Sequence, residues 1–181
     1  MNNEKDNVYD LVEDFYAHDE GWNTLLRQEY AEGFLRMEAW KGKKNSDLYR
    51  SWDNLTMLCL YLGSAETFLG DMNADDFIDC IAWCGRNISE FTPDYKNTQD
   101  FLETCDGLFK YLKGKNAISN DTVPGTAAEI LLQEGKMNII LPDGSFDEAN
   151  AERAWNATPD IPAKIFLNIG ERLQELLEVL H

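Results

Sequence analysis

Apolar residues recur along this chain at spacings of three and four. That is the period of an amphipathic α-helix rather than of a strand. Val8, Leu11, Val12 and Phe15 mark a first stripe. Leu26, Tyr30, Gly33, Met37 and Trp40 mark a longer second one, with Asn23 or Thr24 able to cap its start. The third stripe is Trp52, Leu55, Cys59 and Leu62, behind Ser46 as its cap. GSAETFLGD, from Gly63 to Asp71, then interrupts the rhythm with two glycines and predicts a turn or a short helical piece. A fourth helix is expected from near Asn73 through Phe77, Cys80, Ile81 and Cys84 to Gly85.

The fifth helix carries the clearest start signal. Thr92 offers a cap, Pro93 suits the first helical position, and Asp94 places an anion where the helix dipole favours one. Its stripe is Leu102, Cys105, Phe109 and Leu112, and it ends near Gly114. A shorter sixth helix is expected to open with a capping box from Thr126 to Glu129 and to stop at Gly135. KMNIILPDGSF, residues 136–146, reads as two short strands about a Pro-Asp-Gly turn. Residues 160–181 close with the stripe Ile165, Phe166, Ile169, Leu173, Leu176, Leu177 and Leu180.

The pattern therefore predicts a mainly α fold: a bundle of six to eight helices with one small β-hairpin before the C-terminal helix. Residues 1–181 fit one helical domain. A subdivision near residues 119–125 would separate a bundle at 1–120 from the hairpin and last helix at 121–181.

Charge adds to this picture. The chain carries a net −17, and its five Trp, seven Tyr and nine Phe rule out a disordered composition. An anionic protein repels phosphates, which disfavours nucleic acid and anionic membranes as partners. The charge is uneven, however. Residues 1–40 carry 3 basic and 10 acidic side chains, whereas residues 41–60 and 106–120 each come to +2. Two lysine islands, Lys41, Lys43 and Lys44, then Lys110, Lys113 and Lys115, are the candidate polyanion contacts. Both fall at expected helix C-termini, where cations are favourable in any case. The N-terminus shows no apolar leader, and the longest apolar run is half of what spans a bilayer, so a cytoplasmic protein is expected.

Chemistry is sparsely advertised. Cys80 and Cys84 lie four apart, with Cys59 and Cys105 each 21 residues away. All four fall within apolar helical stripes, which predicts small buried side chains rather than zinc ligands on turns. The two histidines, His18 and His181, leave little for a catalytic triad, and no nucleophile elbow is present. The acidic run from Asp71 fails as a calcium loop, since Asp76 stands where glycine is required and Ala82 where a bidentate Glu is required. No phosphate-binding glycine motif occurs, and no cofactor is implied.

One resemblance can be placed on residues 46–118. SDLYRSWDNLTMLCLYL, DFIDCIAWC and FTPDYKNTQDFLETCDGLFKYLKGKNAIS follow a rhythm of three helices, anchored by Trp52, Leu55, Leu62, Leu108, Phe109, Tyr111, Leu112 and Ile118. It resembles the N-terminal, SAM-like core-binding domain of phage integrases and other tyrosine recombinases. The resemblance implies a small helical bundle that clamps DNA, with contacts falling to the six lysines. The recombinase catalytic domain has no counterpart here, because no His-x-x-Arg box or nucleophilic tyrosine motif follows.

The function expected first is non-catalytic: a helical module that binds a protein partner or self-associates. An integrase-like nucleic-acid accessory domain is the second expectation, and an enzyme using clustered carboxylates the third.

Overall fold

A computed structural model gives the fold, and it describes residues 7–93 and 95–133. Six α-helices and two short 3-10 helices account for its regular structure, and no strand occurs among the described residues. The expected mainly α class is therefore what the chain adopts. The expected hairpin at 136–146 and the C-terminal helix from residue 160 lie outside the described residues.

The described residues fall into two compact units. One comprises 7–71 and 107–121, the other 72–106 and 122–133. The first holds helices α1 (Val8–His18), α2 (Gln28–Trp40) and α3 (Asn45–Ala65), which pack on one another. The second holds α4 (Ala74–Asn87) packed on α6 (Val123–Gln133). Helix α5 (Tyr95–Gly114) contributes residues to both units.

Helix α1 starts where Asn7 accepts a hydrogen bond from the Tyr9 N–H at 3.1 Å. It buries Val8, Val12 and Tyr16, while Leu11 is 38% exposed. The buried stripe thus turns away from Leu11 toward Tyr16, because an aromatic ring fills more of the core than a leucine. Phe15 stacks on Trp22 with centroids 4.9 Å apart and meets Trp52 edge-on at 5.3 Å. Gly63 makes room for this cluster: a Cβ there would already touch the Trp22 ring at 3.4 Å.

Helix α2 departs most from expectation. Its buried positions are Ala31, Phe34, Leu35 and Glu38, and Trp40 is 92% exposed. Asn23 does serve its start, accepting from the Gln28 N–H at 2.9 Å from within the preceding 3-10 turn. Helix α3 begins one residue before the expected cap Ser46, with Lys44 as N-cap, and buries Trp52, Leu55, Cys59 and Leu62 as their spacing predicts.

In the second unit Asn73 and Asp76 form a reciprocal capping box on α4, with bonds of 2.8 and 3.0 Å. Phe77, Cys80, Ile81 and Cys84 are all buried. Helix α5 starts at Tyr95 rather than at Pro93. Helix α6 starts at Val123, three residues before the expected box. Thr126 is therefore inside α6, and its hydroxyl donates to the Thr122 carbonyl at 3.1 Å. Pro124 explains the earlier start, since the first-turn N–H groups have no helical partner to lose.

Candidate functional site

The lysine islands are helix ends. Helix α2 stops in a Schellman motif, with the Lys43 N–H on the Glu38 carbonyl at 3.1 Å and the Gly42 N–H on the Ala39 carbonyl at 3.0 Å. Gly42 takes φ of 97°, which only glycine adopts without strain. The Lys43 ammonium also pairs with the Glu38 carboxylate at 2.9 Å, and it lies 3.5 Å from the Ser51 hydroxyl. That ion pair occupies the place where this motif usually makes an apolar contact, and it accounts for a nearly buried glutamate.

Helix α5 ends the same way. The Ala117 N–H reaches the Leu112 carbonyl at 2.9 Å, and the Asn116 N–H reaches the Lys113 carbonyl at 2.9 Å. Lys113 pairs with Asp121 at 3.3 Å, and the Lys115 ammonium lies 5.6 Å over the Tyr111 ring. Lys41, Lys44 and Lys110 are exposed.

A Cβ on Gly107 would meet Phe34 at 3.2 Å and the Glu38 carboxylate at 3.6 Å. One turn later, the Tyr111 hydroxyl occupies the space over Gly33 that any Cβ would fill. The last turns of α5 therefore run antiparallel to α2. Lys113 and Lys115 fall at the N-terminal end of α2, and Lys41 to Lys44 lie beyond its C-terminal end. At a rise of 1.5 Å per residue, Lys113 and Lys115 lie roughly 15–20 Å along the axis from Lys41, and Lys110 falls alongside the middle of α2.

The four cysteines are fully buried and none forms a disulfide. Cys59 belongs to one unit and Cys80, Cys84 and Cys105 to the other. Burial pushes the Cys59 thiol up to about 12, so it stays protonated and unreactive near neutrality. Among the described residues no group of three or more His, Cys, Asp or Glu is placed to hold a metal ion.

The feature that periodicity missed is a groove of about 270 Å³ in the first unit. Leu25, Leu26 and Tyr30 form one wall, Phe68 and Leu69 another, and Leu112 and Ile118 a third. Each wall has a local cause. Leu26 is held by the buried Tyr16 hydroxyl, which donates to the Leu26 carbonyl at 2.6 Å. Phe68 follows the end of α3, where Glu66 turns the chain with φ of 53° and the Thr67 N–H returns to the Leu62 carbonyl at 3.3 Å. Ile118 follows Asn116, with φ of 56°.

Glu66 and Asn116 are the only non-glycine residues with positive φ among the described residues, and each leads directly into a groove wall. Both are helix-ending left-handed residues, an ordinary role for Asn116 and a costlier one for Glu66. Phe68 is 59% exposed at the mouth of the groove. The polar lining is Asn23, Thr24, Arg27 and Tyr30. It contains no carboxylate or histidine to act as a general acid or base. Arg27 is paired with Glu29 at 2.9 Å.

Sequence reasoning could not assemble this groove, because its walls come from three separated segments. The one local signal is Phe68, an aromatic residue inside a polar, glycine-bounded turn. No protein-family model, curated protein or solved structure matches the chain.

Proposed function

We propose that this chain is a non-catalytic interaction module that receives an apolar anchor side chain of a protein partner in the groove beside Phe68. The supporting observation is the combination at that groove: an aromatic ring left mostly in solvent, over apolar walls set by the turns that end α3 and α5. A volume near 270 Å³ lies below the usual span of small-molecule sites and suits one or two large side chains. Buried aromatic anchors in such pockets carry most of the energy of protein interfaces.

The test is affinity capture with the full chain and with Phe68→Asp. A partner bound at the groove should lose at least about 30-fold in affinity, the size of a hot-spot loss. Glu13→Lys, an exposed change on α1, should leave it unaltered. Equal capture by wild type and Phe68→Asp would remove the groove from the account.

A further inference from the structure

Glu38 is the one charged residue buried among the described residues, with 8% of its surface in solvent. It lies in the last turns of α2, and α5 passes over it at Gly107, a position with no side chain to offer a donor. The Lys43 ammonium, 2.9 Å away, is its counter-ion. The same ammonium reaches the buried Ser51 hydroxyl of α3 at 3.5 Å. Lys43 is nonetheless a surface residue, with 39% of its side chain in solvent. A buried carboxylate therefore depends on a cation that solutes can reach.

Position 43 is joined to Glu38 twice. Its N–H closes the Schellman turn on the Glu38 carbonyl, and its ammonium closes the ion pair. Immediately afterwards Lys44 starts α3, its carbonyl accepting from the Asp47 and Leu48 N–H groups. No side chain caps that start. The first turn of α3 is therefore set by the turn before it, which Lys43 holds shut. Lys44 provides the contrast. It is also exposed, but it pairs with no carboxylate among the described residues and sits at the positive end of the α3 dipole.

We infer that Lys43 is a charge-gated latch, and that acylation of its Nζ opens the turn between α2 and α3. The side chain first swings off Glu38 into solvent and gives up a proton. Its lone pair then attacks the carbonyl carbon of an acyl thioester. The amide C–N bond forms, the C–S bond breaks, and the thiolate leaves and takes up a proton. The amide carries no charge. Glu38 is left as an unpaired buried carboxylate, the costly result of removing one partner of a buried pair. The turn opens to let water reach that carboxylate, and the first turn of α3 loosens with it. The groove takes no part in this, so the inference stands apart from the docking site.

Hydrogen exchange on the full chain tests it, with acetyl-lysine in place of Lys43 in one protein and of Lys44 in another. In the first, the amides of residues 43, 47 and 48 should exchange at least about tenfold faster than in wild type, a floor set below the full cost of a stranded buried charge. In the second they should exchange at wild-type rates. Glu38→Gln removes the carboxylate, and acetylation at 43 should then change those rates by less than about twofold. Lys43→Arg keeps the charge and should keep the turn closed, whereas Lys43→Gln should open it. Their denaturation midpoints give the same comparison if the acetylated chain is too unstable for exchange. With acetyl-coenzyme A as the acyl donor, mass mapping should find Lys43 modified more slowly than Lys44 in wild type, and at a matching rate in Glu38→Gln.

Exchange no faster with acetyl-lysine at position 43 than at position 44 would overturn the inference. So would equal sensitivity in Glu38→Gln, or a Lys43 that acetyl-coenzyme A leaves unmodified in both proteins.

Discussion

At the scale of residues, Tyr16 shows how one polar atom can hold a site from behind. Its hydroxyl is buried and donates to the Leu26 carbonyl, so a groove wall depends on a hydrogen bond made inside α1's packing face. Burial, followed by the neighbouring Cys59 and Glu32, raises its pKa well above the ordinary tyrosine range. The phenol therefore remains a donor at any pH the fold survives. Tyr16→Phe keeps the ring but strands the Leu26 carbonyl, and a buried unsatisfied acceptor costs about 1–3 kcal/mol. Chemical denaturation should register that loss with an unchanged m-value. A loss near zero would mean that water reaches the carbonyl, and that the wall is looser than described.

At the scale of elements, three helices end on residues with positive φ, and their side chains differ in how well they suit it. Gly42 tolerates φ of 97° freely, Asn116 tolerates its αL geometry moderately, and Glu66 does so poorly. Glu66→Gly should stabilise the fold by up to about 1–2 kcal/mol, less the entropy that glycine restores to the unfolded chain. Gly42→Ala should destabilise it by about 1 kcal/mol or more. Thermal melts of the two variants should move in opposite directions. Melts that move together would show that these turns are not set by backbone conformation.

The same elements show what was legible in the sequence. Stripes on α3 and α4 were readable because Leu55, Cys59, Leu62, Phe77 and Ile81 are apolar residues at helical spacing and all are buried. On α2 the apolar stripe Tyr30, Gly33 and Met37 lies one residue out of step with the buried positions Ala31, Phe34 and Glu38. The shift was illegible because the packing face includes a small residue, Ala31, and a charged one, Glu38, whose burial is matched by its ion pair with Lys43. Start signals competed in the same way. At α6 a proline suited to the first turn prevailed over an apparent capping box.

At the scale of the whole molecule, the lysines that suggested a polyanion surface are spread along α2 and engaged at its ends. Lys43 and Lys113 are engaged with carboxylates at helix ends. A net charge of −17 adds general repulsion of phosphates. No helix among the described residues is long and apolar enough to cross a membrane. The groove was illegible for a topological reason: residues near 25, 68 and 118 meet only when α1, α3 and α5 are packed. Hydrophobic periodicity reports which face of an element is covered, not which distant loops converge. The exposures of Trp40 and Phe68 likewise became visible only as departures from that pattern.

The most direct test of the account is photo-crosslinking from the groove mouth. A benzophenone amino acid in place of Phe68 in the full chain should give one dominant adduct on illumination, and the same group at Glu13 should give none. An adduct with the mass of two copies would place a second copy of the chain in the groove. An adduct to another protein would place that partner in the groove. Crosslinking at position 68 no greater than at position 13 would contradict the claim that this groove is where the protein makes its contacts.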